Sequence, residues 1–280
     1  IEELYKNHIG IGISIDGDRK CHDLQRTFVS GKGSYDTVKK NLLQAQRYYK
    51  NKIGTITTIT KQTAVHIEKI IEHLVLDLHI SNIKLNFVHA STYTHGQNQC
   101  LNTQEIADTE LRILYKIIEL QERGYDVMEH NIFIKLKNLL FREYADICLS
   151  CGCCGGEKMI VFDMDGNIYP CELTDDASFV IGSIYKKESL IEQIKMTIDK
   201  DKAFFKMKKA VECEKCYWKF FCRGGCTVRA LSEKRQMEVI DIDHIECAIN
   251  QVLYPALMEL VLRKPHIVNQ MLGEDLLVDE

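Results

Sequence analysis

The chain has 280 residues, with 36 Lys and Arg against 40 Asp and Glu, 45% hydrophobic and 27% charged side chains, and a formal net charge of −4. It is long enough for one or two domains with real cores, and its mildly acidic balance excludes the global basic field of a nucleic-acid binder. No apolar run approaches the roughly 18 residues of a membrane span and no secretory signal opens the chain, so a cytoplasmic protein with no membrane or nucleic-acid partner is expected.

The first hundred residues alternate strand and helix. Residues 9–15 form a short apolar run ending at Asp16-Gly17, the punctuation of a strand entering a loop. The run lies so close to Ile1 that the chain reads as a fragment of a longer protein. Ser34 is placed to cap a helix reaching about residue 49, with Tyr35, Val38, Leu42 and Ala45 on one face. Residues 53–60 are rich in β-branched side chains and predict a second strand. Residues 65–78 predict an amphipathic helix, with Ile67, Ile70, Ile71, Leu74 and Leu78 at helical spacing. Residues 83–87 are a third strand. This β-α-β-α-β order calls for a parallel sheet or part of a barrel.

Residues 89–102 form a polar loop at the carboxyl end of that third strand, where α/β proteins place active sites. Asn102 and Glu105 match a capping box opening a helix to about residue 124, and another helix is expected over 132–144. A domain boundary near Asp146 gives residues 1–145 and 146–280. In the second half, residues 159–162 and 168–171 predict a hairpin around Asp165-Gly166-Asn167. Helices follow at about 187–199 and 201–209. A last helix, about 242–263, carries Cys247 near its start and Pro255 as a kink. The Asp163-Met-Asp165-Gly-Asn167 run lacks the downstream glutamate of a calcium loop, and residues 30–34 lack the full phosphate-loop pattern.

Twelve cysteines are present, and without an export signal they read as metal ligands rather than disulfides. Cys213, Cys216, Cys222, Cys226 and Cys247 follow C-x2-C-x5-C-x3-C-x20-C. Upstream lie Cys148, Cys151, Cys153 and Cys154, then Gly166 and Cys171 in the pattern C-x11-G-x4-C. Close thiolate pairs suit zinc and iron–sulfur centres equally on spacing alone. Five cysteines after residue 210 exceed one tetrahedral site, so the leftover thiol points to a second centre upstream. Cys21 and Cys100 stand alone and read as buried, inert thiols.

The two cysteine patterns together resemble the seven-cysteine SPASM domain of radical SAM peptide-modifying enzymes. In the first half, Ser14-Ile-Asp16-Gly17, His22-Asp23, Arg26 and Gly31-Lys-Gly33-Ser34-Tyr35 resemble the fourth strand and following loop of the radical SAM barrel of that family. The resemblance implies an α/β fold: the second half of a partial radical SAM (β/α)6 barrel, then an irregular α+β SPASM domain. It implies two auxiliary [4Fe–4S] clusters, one held by Cys213, Cys216, Cys222 and Cys247. The other takes Cys226, Cys171 and upstream ligands from Cys148, Cys151, Cys153 and Cys154. It further implies S-adenosylmethionine beside Ser14, Asp16 and Arg26, with Arg26 suited to a carboxylate, and Glu172 as candidate general base where sulfatase-maturing members carry aspartate.

The CxxxCxxC loop of the SAM-cleaving cluster is absent from these 280 residues. The expected function is that of a radical SAM enzyme fragment modifying a ribosomally made precursor peptide through a 5′-deoxyadenosyl radical, perhaps by closing a thioether. A flavodoxin or ferredoxin would supply electrons. The alternative is a non-catalytic iron–sulfur or zinc module for electron transfer or peptide binding.

Overall fold

The computed structural model describes residues 1–89, 97–143, 148, 155–156, 158–174, 177–200, 211–234 and 242–273. The chain forms two compact units, residues 1–88, 98–136 and 252–280 in the first and 89–97 with 137–251 in the second. A single cut at 145/146 was expected. The structure instead returns the end of the chain to the first unit, because Leu253, Tyr254, Leu257 and Leu260 supply it with core side chains.

The first unit is built on four parallel strands in the order β1 (Gly12–Ser14), β2 (Gly54–Ile59), β3 (Asn82–Phe87) and β4 (Met128–Glu129). Each neighbour follows in chain order with a helical crossover, the connectivity of a barrel segment. The α/β fold and the three expected strands are therefore present; β4, two residues long, is too short to signal itself by alternation.

Helices α1 (Glu2–Lys6), α2 (Arg19–Gln25) and α3 (Tyr35–Tyr49) precede β2. Leu42 and Ala45 of α3 are buried, as its amphipathic spacing requires. The expected helix over 65–78 is broken into α4 (Lys61–Ala64), α5 (Ile67–Glu72) and a π-helical turn, His73–Asp77. Its apolar face is nevertheless fully buried at Ile67, Ile70, Ile71, Leu74 and Leu78. The Thr60–Thr63 turn starts the helix early: Thr60 N–H donates to Thr63 Oγ1 at 2.9 Å.

Helix α6 (Thr103–Glu122) opens with the expected capping box. Asn102 Oδ1 accepts from Glu105 N–H at 2.9 Å, and the Glu105 carboxylate accepts from Asn102 N–H at 2.8 Å. Against α5 it makes the ion pairs Arg112–Glu68 and Lys116–Glu72. Helix α7 (His130–Phe141) follows β4 directly.

The second unit holds a small antiparallel sheet, β5 (Val161–Phe162), β6 (Asn167–Tyr169) and β7 (Gly182–Ser183). The hairpin turns at Gly166, whose φ of +76° is the left-handed conformation glycine accepts most easily. Asp163 Oδ1 accepts from the amides of Asp165 and Asn167, so the run read against a calcium loop is a turn that satisfies its own backbone. Helices Leu190–Lys200, Val211–Glu214, Lys219–Cys222 and Thr227–Lys234 follow, while the helix expected over 201–209 lies outside the described residues. The last expected helix is present as His244–Arg263, and a further one, Pro265–Leu272, follows it. Contrary to the sequence reading, His244–Arg263 is long and apolar enough by length and composition to cross a membrane. Its buried Leu253, Tyr254, Leu257 and Leu260 show where that apolar character is used.

Candidate functional site

Two sites emerge, one in each unit. In the first, the chain leaves β1 at Asp16, whose side chain is 1% exposed. A buried carboxylate must be paired and hydrogen-bonded, and Asp16 is both. Its Oδ2 accepts from Arg26 Nε at 2.7 Å, and Oδ1 accepts from Thr58 N–H at 2.8 Å. Arg26, 35% exposed at its side chain, stays at the rim.

The pair is held by a clamp. Asp16 N–H donates to His22 Nδ1 at 3.1 Å, and His22 Nε2 lies 3.0 Å from Ser34 Oγ. The Ser34 hydroxyl already donates to Arg26 O at 2.8 Å. Ser34 can then only accept from His22, which fixes the imidazole as neutral with its proton on Nε2. Burial chiefly, against the pull of Asp16 and Asp23, holds the His22 pKa below its ordinary value.

Ser34 thus does not cap α3 as expected, because its hydroxyl is engaged elsewhere. The start of α3 is met instead by Asp23, whose Oδ1 accepts from Tyr35 N–H at 2.9 Å. Gly33 makes room for that carboxylate: a Cβ there would lie 2.2 Å from it. Ser14 stands apart from the clamp, exposed on the uncovered face of the sheet. Across the parallel register it shares a row with Ile56 and Lys84, while Thr58 and Asn86 occupy the next row towards the carboxyl ends. Lys84 and Asn86 were not singled out in the sequence; their signal is the polar-apolar alternation Asn82-Ile-Lys84-Leu-Asn86.

In the second unit, Cys213, Cys216 and Cys222 lie on a tightly turned loop. Cys216 N–H donates to Cys213 O at 3.3 Å and Cys222 N–H to Trp218 O at 2.8 Å. Arg223, Gly224 and Gly225 then take positive φ in succession, turning the chain towards Cys226. Cys247, in the first turn of the last long helix, faces the loop. Its thiol pKa is pushed up by burial first and then by the thiols of Cys213 and Cys216. Gln251, one turn on, donates to Cys216 Sγ at 3.7 Å. Sequence positions 213, 216 and 247 are therefore spatial neighbours.

Asp243, 1% exposed, ties this arrangement together. Its carboxylate accepts from Cys226 N–H at 2.7 Å, Arg229 Nη2 at 2.6 Å and Glu246 N–H at 3.2 Å. One buried group thus fixes both the loop's last cysteine and the first turn of the helix that carries Cys247. Burial opposes the charge of Arg229, but Asp243 and Glu246 outweigh it and raise the guanidinium pKa. Gly225 packs on Asp243 so closely that a Cβ would stand 2.7 Å from its Oδ2. Neither Asp243 nor Arg229 was foreseen; the Asp243-x-x-Glu246 spacing ahead of an apolar run was the available signal.

Cys171 is buried at the end of the hairpin, its carbonyl accepting from Thr174 Oγ1 at 2.5 Å, and Glu172 beside it is exposed. Cys148 is exposed. Cys151, Cys153 and Cys154 lie outside the described residues. Among the described residues no three His, Cys, Asp or Glu side chains stand close enough to hold a single metal ion. Cys21 is buried, and its thiol is pushed up to about 11 by burial and Asp18, as an inert thiol should be.

No protein-family profile matches the chain. It is similar to the cysteine-type anaerobic sulfatase-maturating enzyme of Clostridium novyi (strain NT), 26% identical over 224 residues that make up 79% of this chain and 58% of that protein. The enzyme of the same description from Clostridium perfringens (strain 13 / Type A) is 23% identical over 80% of this chain and 59% of its own length. The chain thus spans less than two thirds of these relatives. Among solved structures, native anSMEcpe with bound AdoMet superposes with a TM-score of 0.78 at 20% identity, covering 94% of this chain and 71% of that one. The same protein with AdoMet and the Cp18Cys peptide gives 0.77. The chain thus shares the fold of these anaerobic sulfatase-maturating enzymes, in line with the resemblance read from the sequence.

Proposed function

We propose that these residues are the C-terminal part of a radical SAM/SPASM enzyme that modifies a ribosomally synthesised peptide. The observation that carries this reading is the convergence of Cys213, Cys216 and Cys247 in a chain with the sulfatase-maturase fold. Five cysteines after residue 210 exceed the four ligands of one tetrahedral zinc, which favours iron–sulfur ligation with a second centre upstream.

On this reading Cys213, Cys216, Cys222 and Cys247 hold one auxiliary [4Fe–4S] cluster. Cys226 and Cys171, with ligands from Cys148, Cys151, Cys153 and Cys154, hold the other. Asp243 links Cys226, a ligand of the second set, to the helix turn that carries Cys247 of the first, as the outer shell of a metal site does. AdoMet, when bound with the SAM-cleaving cluster, supplies one-electron chemistry at the carboxyl ends of the barrel strands. There Ser14 offers a hydroxyl, and the Asp16–Arg26 pair, locked by His22 and Ser34, forms a rigid rim that orients the cofactor. On this reading Glu172, exposed and next to Cys171, would take a proton from the peptide. It stands where sulfatase-maturing enzymes carry aspartate, so a different bond, such as a thioether, is the product proposed. The reading carries with it a cytoplasmic location and an electron donor of flavodoxin or ferredoxin type.

The test is anaerobic production of the complete polypeptide that contains this chain, with reductant, AdoMet and peptides encoded beside its gene. Release of 5′-deoxyadenosine with a mass change in one peptide is expected. Protein loaded with about two zincs and no sulfide, and inert towards AdoMet, would refute the assignment.

A further inference from the structure

The helix His244–Arg263 brings a second side chain to the cysteine loop besides Cys247. Gln251 stands four residues on from Cys247, and side chains at that spacing lie one above the other on one helical face. Its Nε2 donates to Cys216 Sγ at 3.7 Å. The Cys247 thiol, pushed up by burial first and then by Cys213 and Cys216, is drawn the other way by a hydrogen bond from the Gln251 side chain. One amide thus serves a sulfur on the loop and a sulfur on its own helix.

The chemistry of the amide suits that position. Thiols become thiolates when they take a metal, and a thiolate accepts hydrogen bonds without donating any. The NH2 end of Gln251 carries two N–H donors, one for each sulfur, and brings no net charge. Four thiolates already fill the corners of a cubane, so Gln251 is left to act through the sulfurs. Taking up an electron makes a cluster more negative, and part of that charge falls on its sulfur ligands. Donors held against those sulfurs stabilise the reduced form and raise the potential.

We infer that Gln251 raises the reduction potential of the auxiliary cluster held by Cys213, Cys216, Cys222 and Cys247, by donating to two of its ligands. It is a positioning residue and not itself a ligand, and the inference rests on the proposed function. The step concerned is the one-electron reduction of [4Fe–4S]2+ to [4Fe–4S]+. The electron comes from a donor of flavodoxin or ferredoxin type, and no bond is made or broken.

The experiment is a dithionite titration followed by electron paramagnetic resonance. It compares the complete, anaerobically purified protein with its Gln251→Leu and Gln251→Lys variants, iron and sulfide being counted in each. Cys247→Ser, which lacks this cluster, identifies its signal by difference. Gln251→Leu keeps the volume and loses the donors. At full iron content its ratio of reduced to oxidised cluster at a fixed potential should fall about tenfold, ~59 mV for a one-electron couple. Gln251→Lys keeps a donor on a long side chain and adds charge, so it should restore or exceed the wild-type potential. A wild-type potential in Gln251→Leu, or a shift in another cluster's signal, overturns the inference and leaves the functional reading standing. So does the loss of about four irons in Gln251→Leu, which would make Gln251 a structural support. A wild type without iron and sulfide would bring down the functional reading, and this inference with it.

Discussion

Glu129 offers the most quantitative test of how the first unit is held together. It closes β4, is 3% exposed, and sits where the short strand gives out beside β3. Leu85, one step beyond the last backbone pair, finds side chains in place of a strand partner. Its N–H donates to Glu129 Oε1 at 3.0 Å, and its carbonyl accepts from Asn131 Nδ2 at 2.8 Å. Glu129 Oε2 accepts from Ile132 N–H at 2.8 Å, capping α7. The carboxyl thus continues the β-ladder and starts a helix at once.

Burial dominates its acidity and pushes the pKa up to about 7 from the ordinary 4.5, against the backbone donors that favour the anion. Between those values the folded chain holds a proton that the unfolded chain has released. Stability is therefore greatest below pH 4.5 for this group and falls as pH rises, reaching a floor above pH 7. At about 1.4 kcal/mol per pH unit the full loss is ~3 kcal/mol.

Glu129→Gln removes the titration. It also turns an amide N–H towards Ile132 N–H, which costs about 1–3 kcal/mol at every pH. Urea unfolding followed by circular dichroism from pH 4.5 to 8 reads both effects. Other groups titrate alike in the two proteins, so the difference between the curves isolates Glu129. The wild-type advantage at low pH should shrink by ~3 kcal/mol, or reverse, by pH 8. Parallel curves across that range would show that the burial argument is wrong.

Three further outcomes follow from the second unit and the clamp. Cys247→Ser should lower the iron content of the anaerobically purified protein by about four per chain, one cubane, with sulfide falling in step; an unchanged iron count would remove Cys247 from the ligand set. Asp243→Asn leaves Arg229 without its buried counter-charge and weakens the contact to Cys226. A loss of about 3–5 kcal/mol in urea unfolding is expected, and wild-type stability would show that Asp243 does not organise the loop. Gly33→Ala drives a Cβ into the Asp23 carboxylate, freeing Tyr35 N–H at the start of α3. A cost of about 1–3 kcal/mol, read as a lower melting temperature, checks that packing.

What the sequence disclosed, and what it hid, divides along the range of the interactions involved. Periodic signals were legible: the strands β2 and β3, the buried face of α3 and α5, and the capping box at Asn102 all depend on residues a few positions apart. The cysteine series was legible because ligand spacing is itself a local pattern. Asp243 was not, since its three partners, Cys226, Arg229 and Glu246, are spread over twenty positions and no short window contains them. The role of His22 was hidden for a similar reason: it joins Asp16 to Ser34, twelve residues on, and no periodic pattern marks that link.

The segment from Ser14 to Tyr35 shows how a matched motif acquires a physical account. As sequence it marked a cofactor site through Ser14, Asp16 and Arg26. In the structure most of its distinctive residues serve one another: His22 spans Asp16 and Ser34, Ser34 secures the Arg26 carbonyl, Asp23 secures Tyr35, and Gly33 gives Asp23 its place. A network in which Asp16, His22, Ser34 and Asp23 each hold a partner has little freedom to shift. The motif therefore specifies the rigidity of the Asp16–Arg26 rim. A loss of stability in Gly33→Ala, where a Cβ meets the Asp23 carboxylate, with the Asp16–Arg26 pair left in place would show that the segment's support is carried by Asp23 and Gly33 separately from the rim.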